Sequence, residues 1–178
     1  MSQDMMIEEE RIAAQRDLDE ARLVTSVLRR PIRALRTLAD AITCDRSTTV
    51  RQAIETMQQR RIGCLLVVHQ GRLVGVFTER DVLNKASARD IDVDVTLVAD
   101  LMTPDPECLS PDDELVYALN QMHMGGYRHI PLVDDAGQPT GVISMRDMVS
   151  AMVEVFPQEI LNLPPSPSRG ISSAREGA

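Results

Sequence analysis

One part of this chain is written twice. Ala53-Ile54-Glu55-Thr56-Met57 returns 65 residues later as Ala118-Leu119-Asn120-Gln121-Met122. Residues 62–68 (IGCLLVV) return at the same offset as 127–133 (YRHIPLV), and 75–81 (GVFTERD) return as 141–147 (GVISMRD), with one extra residue in the turn between. Three blocks in the same order define a duplicated unit. Duplication constrains the fold more than any local signal, because a repeat must bury its apolar face against its neighbour.

Each unit reads as β-α-β-β-α. In the first, Ser47 or Thr48 can cap a helix running to about Arg61, with Val50, Ile54 and Met57 on one face. Residues 64–68 form a short apolar run suited to a buried strand; Gln70-Gly71 makes a turn, and 73–77 is a second strand. A helix should start near Thr78 and carry Val82 and Leu83 inward. The second unit repeats this, with a helix over about 112–124, strands at 130–133 and 140–143, and a helix from Ser144; Gly125 and Gly126 stop the first of these helices. Short strands should precede the units near Ile42-Thr43 and at 107–109. A unit of ~60 residues is near the lower limit for an independent core. The two sheets should therefore pack together around a pseudo-twofold axis in an α+β fold.

This divides the chain into an N-terminal helix (1–34), a first repeat (35–90), a second repeat (91–155) and a tail (156–178). The helix reads from about Met6 to Arg30, stopped by Pro31, with a broken stripe of Ile7, Ala14, Leu18, Ala21 and Leu28 that suits packing on the repeats or on a second subunit. The connection 87–95 should be ordered at its ends only. The tail, ending LPPSPSRGISSAREGA, has the composition of a disordered segment.

Composition excludes several functions. A formal charge of −8 lacks the basic footprint of a nucleic-acid binder, and four aromatics (Phe77, Tyr117, Tyr127, Phe156) offer no stacking platform. Cys44, Cys64 and Cys108 are odd in number and form no C-x-x-C pair, which suits a reducing cytoplasm. The polar, acidic start is no signal peptide, and no apolar run approaches the ~20 residues a membrane span needs. His69, His123 and His129 lack metal-ligand spacing relative to the cysteines, so no metal site is expected. No residue set suggests a catalytic nucleophile with its base.

The repeated G-x-x-[T/S]-x-x-D carries the chemistry. Thr78 and Ser144 stand where a strand gives way to a helix, with Asp81 and Asp147 three residues on. One reading is a helix-start device, a hydroxyl and a carboxylate capping each other's backbone. The other is a binding corner: unpaired amides at the helix start meet a phosphate, and the acceptor-only carboxylate takes the two hydroxyls of a ribose.

With these residues in view, 35–152 resembles a tandem pair of CBS domains, named after cystathionine β-synthase. The resemblance rests on LLVVHQGRLVGVFTERDVL (65–83) and YRHIPLVDDAGQPTGVISMRDMV (127–149) and covers about two-thirds of the chain. It implies a disc-like module with two clefts that bind adenosine-containing ligands such as AMP, ADP, ATP, NAD or S-adenosylmethionine. It also implies control of a partner protein and frequent homodimerisation. By position, the ribose role falls to Asp81 and Asp147, the phosphate or backbone role to Thr78 and Ser144 with Arg80 and Arg146, and the adenine flanks to Val76 and Val142. Ile62 and Gly63 should complete the Asp81 cleft, and Arg128 and His129 the Asp147 cleft. The basic pair would make the Asp147 cleft the better nucleotide site.

The leading expectation is therefore a regulatory, non-catalytic sensor that acts on an unidentified partner in trans, with the N-terminal helix as transmitter. The alternative is a constitutive interaction scaffold whose clefts bind nothing.

Overall fold

The computed structural model describes residues 3–86 and 91–155. A long helix α1 (Gln3–Leu28) and a 3-10 turn (Ile32–Ala34) lead into β1 (Ala39–Asp40), β2 (Thr43–Asp45), α2 (Val50–Arg60), β3 (Cys64–His69) and β4 (Arg72–Thr78). A short α3 (Glu79–Asp81) widens into π-helical turns over Val82–Ala86. Then follow α4 (Val98–Leu101), β5 (Thr103–Pro104), α5 (Leu115–Gly125), β6 (His129–Val133), β7 (Pro139–Ser144) and α6 (Met145–Val155). The fold is α+β, with the two copies of the duplicated unit visible as α2-β3-β4-α3 and α5-β6-β7-α6. The expected strand at 107–109 is reduced to a single parallel bridge between Leu109 and Leu132.

Local chemistry sets the boundaries. Thr49, one residue beyond the expected caps, starts α2. It accepts from the Gln52 amide at 3.3 Å, and Gln52 Oε1 accepts from the Thr49 amide at 3.1 Å. Ser47 is held instead in the preceding turn, where its amide and hydroxyl donate to Asp45 Oδ1. Only Thr49 has a glutamine three residues on, so only it can close the reciprocal pair. The β3–β4 hairpin turns on Gln70 (φ 51°) and Gly71 (φ 79°), the two left-handed residues a tight two-residue loop needs. Gly126 (φ 68°) closes α5, as its sequence position predicts.

Each sheet borrows a strand from the other half. The first has the order β2-β3-β4-β5 and the second β1-β7-β6. Thus β1, ahead of the first repeat, pairs antiparallel with β7, and β5, ahead of the second, pairs with β4. The glycine that opens each G-V-x-[T/S] block makes room for this exchange. A Cβ on Gly75 would fall 2.3 Å from Met102 Sδ, and one on Gly141 would lie 3.0 Å from the Ala39 carbonyl oxygen.

Period-2 alternation then sorts the side chains. Leu65, Val67 and Phe77 face a core with Val50, Ala53 and Met57 of α2, whereas Cys64, Leu66 and Val76 face the other way and meet Val142 of the second sheet. The sheets therefore pack through their apolar faces. Packing also crosses sequence order. Val27, Ile32 and Leu35 are buried in the second repeat's core, while Ile91, Val93, Val98 and Leu101 pack in the first. Residues 91–95 are held firmly, since Arg51 donates its amide to the Val93 carbonyl at 3.0 Å and pairs with Asp94.

Two expectations change. Leu83, expected inward, is 68% exposed, because the widened turns after α3 rotate it outward. In α1, Leu18 and Leu23 are exposed, and among the described side chains it is the last turns that bury apolar surface, led by Val27. Ile7's surroundings, the connection 87–90 and the expected disordered tail lie outside the described residues.

Candidate functional site

The two corners have matching geometry. Thr78 donates its amide and hydroxyl to Asp81 Oδ2 at 2.9 and 2.6 Å, and the Asp81 amide returns to Thr78 Oγ1 at 3.3 Å. Ser144 donates to Asp147 Oδ2 at 2.8 and 2.5 Å, with the Asp147 amide returning at 3.4 Å. Both carboxylates are buried, at 7% and 5% exposure. The capping arrangement is thus real, and it uses one oxygen of each carboxylate. It also engages most of the helix-start amides. Besides the third amide of each helix, bonded to the hydroxyl, the first donates to the start of the preceding strand: Glu79 to the Gly63 carbonyl at 3.1 Å and Met145 to the Arg128 carbonyl at 3.0 Å. The free amides expected there thus narrow to the second of each helix, that of Arg80 and that of Arg146. Arginine side chains line the same corners, Arg80 at the first and Arg146 at the second.

The second oxygens differ. Asp81 Oδ1 lies 2.7 Å from Lys85 Nζ, and Lys85 also donates to the Leu101 carbonyl at 2.7 Å. Asp147 Oδ1 receives no hydrogen bond from the described residues. In the repeat alignment Lys85 corresponds to Ala151, 1% exposed in the second core. Asp147 therefore presents a spare acceptor in a low-exposure setting, which a sugar diol can use.

Both corners open on cavities between the repeats. The first, of about 370 Å³, is walled by Val76, Thr78, Arg80 and Asp81 of the first repeat and by the crossing segment Thr103 to Glu107 with Tyr127. The second, of about 630 Å³, is walled by Val142, Ser144, Arg146 and Asp147 with Ile62 and the region of β1. Gly63, Arg128 and His129 line both, as does Glu79. All twelve residues singled out in the sequence thus reach one cavity or both.

Their grouping is different from the expected one. Ile62 completes the Asp147 cavity rather than the Asp81 cavity, and Arg128 and His129 form a wall between the two rather than belonging to one. The reason is topological: sheets that pack face to face bring the start of one repeat's strand against the corner of the other. Its place in both walls means that Arg128 does not by position alone distinguish the clefts. Residues not foreseen include Thr37 and Arg61 in the second cavity, and Asp105, Glu107 and Tyr127 in the first. The 65-residue offset makes 38–42 and 103–107 equivalent segments, a signal for Asp105 and Glu107, while Arg61 and Tyr127 adjoin the strand starts already singled out.

Electrostatics sharpens the centre. Burial holds the His129 imidazole below its ordinary value, Arg128 adds to this, and Glu79 and Asp147 oppose it. A Cβ on Gly63 would lie 3.3 Å from the His129 ring, so the two repeats touch there. Burial pushes the thiol of Cys64, the repeat equivalent of His129, up to about 12. Tyr127 is pushed up to about 12 by desolvation and by donating its hydroxyl to Glu107. Among the described residues no group of His, Cys, Asp and Glu is arranged to hold a metal, and no helix is long and apolar enough to cross a membrane.

Comparison with known proteins agrees with this architecture. A protein of Acidianus ambivalens known only as an uncharacterized 17.7 kDa protein is 36% identical over 110 residues, 61% of this chain and 65% of that one. The CBS domain-containing protein CBSCBSPB3 of Arabidopsis thaliana is 28% identical over 109 residues, 61% of this chain but 20% of its own. The chain thus spans less than two-thirds of these relatives. Among solved structures, the CBS domain of a CBS domain-containing membrane protein from Sphaerobacter thermophilus matches with a TM-score of 0.64 at 26% identity, covering 78% of this chain and 97% of that one. Two more distant folds were solved with ligands. CBSX2 in complex with AMP has a TM-score of 0.60 at 22% identity, over 70% of this chain and 97% of that one. The domain pair of MJ0100, with 5′-methylthioadenosine and S-adenosyl-L-methionine, has a TM-score of 0.59 at 21% identity, over 65% of this chain and 94% of that one. The CBS domain model itself matches twice, at 27–88 and 98–154. With two copies of that domain along its length, the chain belongs to the CBS domain family.

Proposed function

We propose that this protein is a regulatory module that binds an adenosine-containing ligand between its two repeats and changes a partner protein in trans. The observation that carries the reading is the spare Oδ1 of buried Asp147, a residue that lines a cavity whose walls come from both repeats. A ribose held there would bond to one repeat while its base and 5′ end touch the other. Such a ligand binds best to one mutual arrangement of the repeats and so biases it, which is what regulation requires. AMP, ADP, ATP, NAD and S-adenosylmethionine all carry the diol. The ligand-bound state of related folds lends the class its plausibility.

The route outward runs through α1 and α6. The end of α1 is tied to the second repeat by Arg30–Glu154 at 3.7 Å and by the Leu115 amide donating to the Arg30 carbonyl at 3.0 Å. Exposed Tyr117 and Met124 on α5 and Val149 on α6 give the same repeat an apolar face suited to homodimerisation. Three unpaired thiols suit a reducing cytoplasm.

A thermal shift separates this from the alternative scaffold. Ligand at 100 times its dissociation constant adds about 2.7 kcal/mol, or roughly 5–10 °C at this size. No shift with any of the five ligands supports the scaffold, a reading the capping bonds on Asp81 favour. Unchanged dimerisation and partner binding after deletion of residues 1–30 would remove α1 from the route.

A further inference from the structure

We propose that the two clefts divide ligands by the charge at the 5′ position: the Asp147 cleft takes a nucleoside 5′-phosphate, and the Asp81 cleft takes a nucleoside whose 5′ substituent carries no negative charge. This rests on the adenosine-binding reading above and goes beyond it by assigning a ligand class to each cleft.

The argument is residue by residue. Glu79 and Arg128 line both cavities and do not discriminate. What remains is one arginine, Arg80, against three carboxylates, Asp81, Asp105 and Glu107, in the first cleft. In the second it is two arginines, Arg61 and Arg146, against two carboxylates, Asp40 and Asp147. Even with Lys85 set against Asp81, the first cleft keeps Asp105 and Glu107 facing Arg80 alone.

Two exchanges between equivalent positions produce the difference. Glu107 in the first cleft stands where the second has Ile42, and Gly126 of the second repeat stands where Arg61 of the first lines the second cleft. Both acids and bases are constrained. The Tyr127 hydroxyl donates to Glu107 and fixes its carboxylate beside the cavity, while Arg80 Nη1 is drawn to the Gly126 carbonyl at 3.3 Å. Like charges in a cleft of low-dielectric walls repel an entering anion, and charge-assisted arginine bonds attract it. Tyr127 adds an apolar ring to the first cleft, where the second has Ile62.

AMP and adenosine test this, because they differ only in the phosphate. Calorimetry on the full chain should give one AMP per chain, with adenosine then binding once more to the AMP-saturated protein. Asp147→Asn should abolish AMP binding and spare the second adenosine event; Asp81→Asn should do the reverse. Glu107→Gln, at an exposed position that leaves the core untouched, should admit AMP to the first cleft and raise its stoichiometry to two. AMP filling both clefts of the unaltered protein, or AMP binding lost with Asp81→Asn but kept with Asp147→Asn, overturns the division and leaves the adenosine reading intact. So does failure of adenosine to bind the AMP-saturated protein. Binding of neither compound to the unaltered chain overturns both.

Discussion

The Asp81 and Asp147 corners are built alike and finished differently. Each uses a hydroxyl and one amide to hold one carboxylate oxygen, and a second amide that donates to the hydroxyl, with distances that agree to about 0.1 Å. The other oxygen is taken by Lys85 in one and left available in the other. The comparison separates two roles that the motif alone confounds. The T/S-x-x-D pattern is a helix cap in both repeats, and the cap is what orients the carboxylate. How freely the corner can receive a diol is set four residues further on: Ala151 leaves Asp147 Oδ1 open, whereas a sugar at Asp81 has to share Oδ1 with Lys85.

The largest expected effect is on ligand affinity. Turning the spare acceptor of Asp147 into an amide, with Asp147→Asn, removes charged hydrogen bonds to a ribose worth about 1.5–3 kcal/mol each. For two hydroxyls that is a loss of at least ~100-fold in nucleotide affinity. Asp81→Asn should leave the same affinity within about threefold. Titration calorimetry decides, and equal losses would erase the distinction between the corners.

Next is stability at the first corner. Asp81 is 7% exposed, and its ion pair with Lys85 is only partly open to solvent. Lys85→Met leaves that carboxylate without its counter-charge, at an expected cost of about 1–3 kcal/mol, discounted because the lysine is a third exposed. Melting should fall by roughly 3–10 °C. Pairing it with Asp81→Asn should recover part of the loss, the signature of direct coupling. Equal melting temperatures for Lys85→Met and the unaltered protein would mean that Lys85 does not hold Asp81.

Much of this was legible in the sequence, and the failures have physical causes. The repeat, at an offset of 65 residues that becomes 66 past the hairpin turn, locates both corners, the hairpins and the apolar strand runs, because period and turn chemistry are local. It missed the strand exchange, since β1 and β5 are two residues long and owe their pairing to the opposite sheet. Without the exchange in view, chain order alone groups Ile62 with Asp81 and gives Arg128 to one cleft. Ser47 and Thr48 compete with Thr49 as caps by residue type, and Gln52 decides for Thr49. The Lys85–Ala151 difference stood in the alignment but carried no meaning without the 2.7 Å contact.

The exchanged strands give a third comparison, smaller in size. A Cβ on Gly75 meets the flexible end of Met102, which can rotate away, whereas one on Gly141 meets the Ala39 backbone, which cannot without moving β1. Gly141→Ala should therefore cost about 2 kcal/mol and Gly75→Ala about 1, despite the shorter nominal contact at Gly75. Denaturant melts of the two variants check the order; the reverse order would indicate that β1 yields more easily than Met102.

The smallest effect tests the wall between the clefts. His129 and Cys64 occupy equivalent positions, and burial drives each toward its neutral form: the thiol up to about 12, the imidazole below its ordinary value of 6.5. Only the imidazole can respond near neutrality, so the pH response should be one-sided. The unfolded chain takes up a proton on this histidine at higher pH than the folded one, so stability rises with pH across the interval. His129's contribution is complete above pH 6.5 and is lost as pH falls through the lower folded value. The partly exposed ring and the opposing pull of Glu79 and Asp147 keep the effect modest, a drop of about 2 °C in melting between pH 7 and pH 5. The carboxylates held low, Asp45 and Asp94, titrate below this window and do not confuse it. His129→Gln should flatten the interval while leaving the acid limb below pH 4 unchanged. Cys64→Ala should leave the slope between pH 5 and 7 as it was. A slope that survives His129→Gln would move the titrating group out of the shared wall.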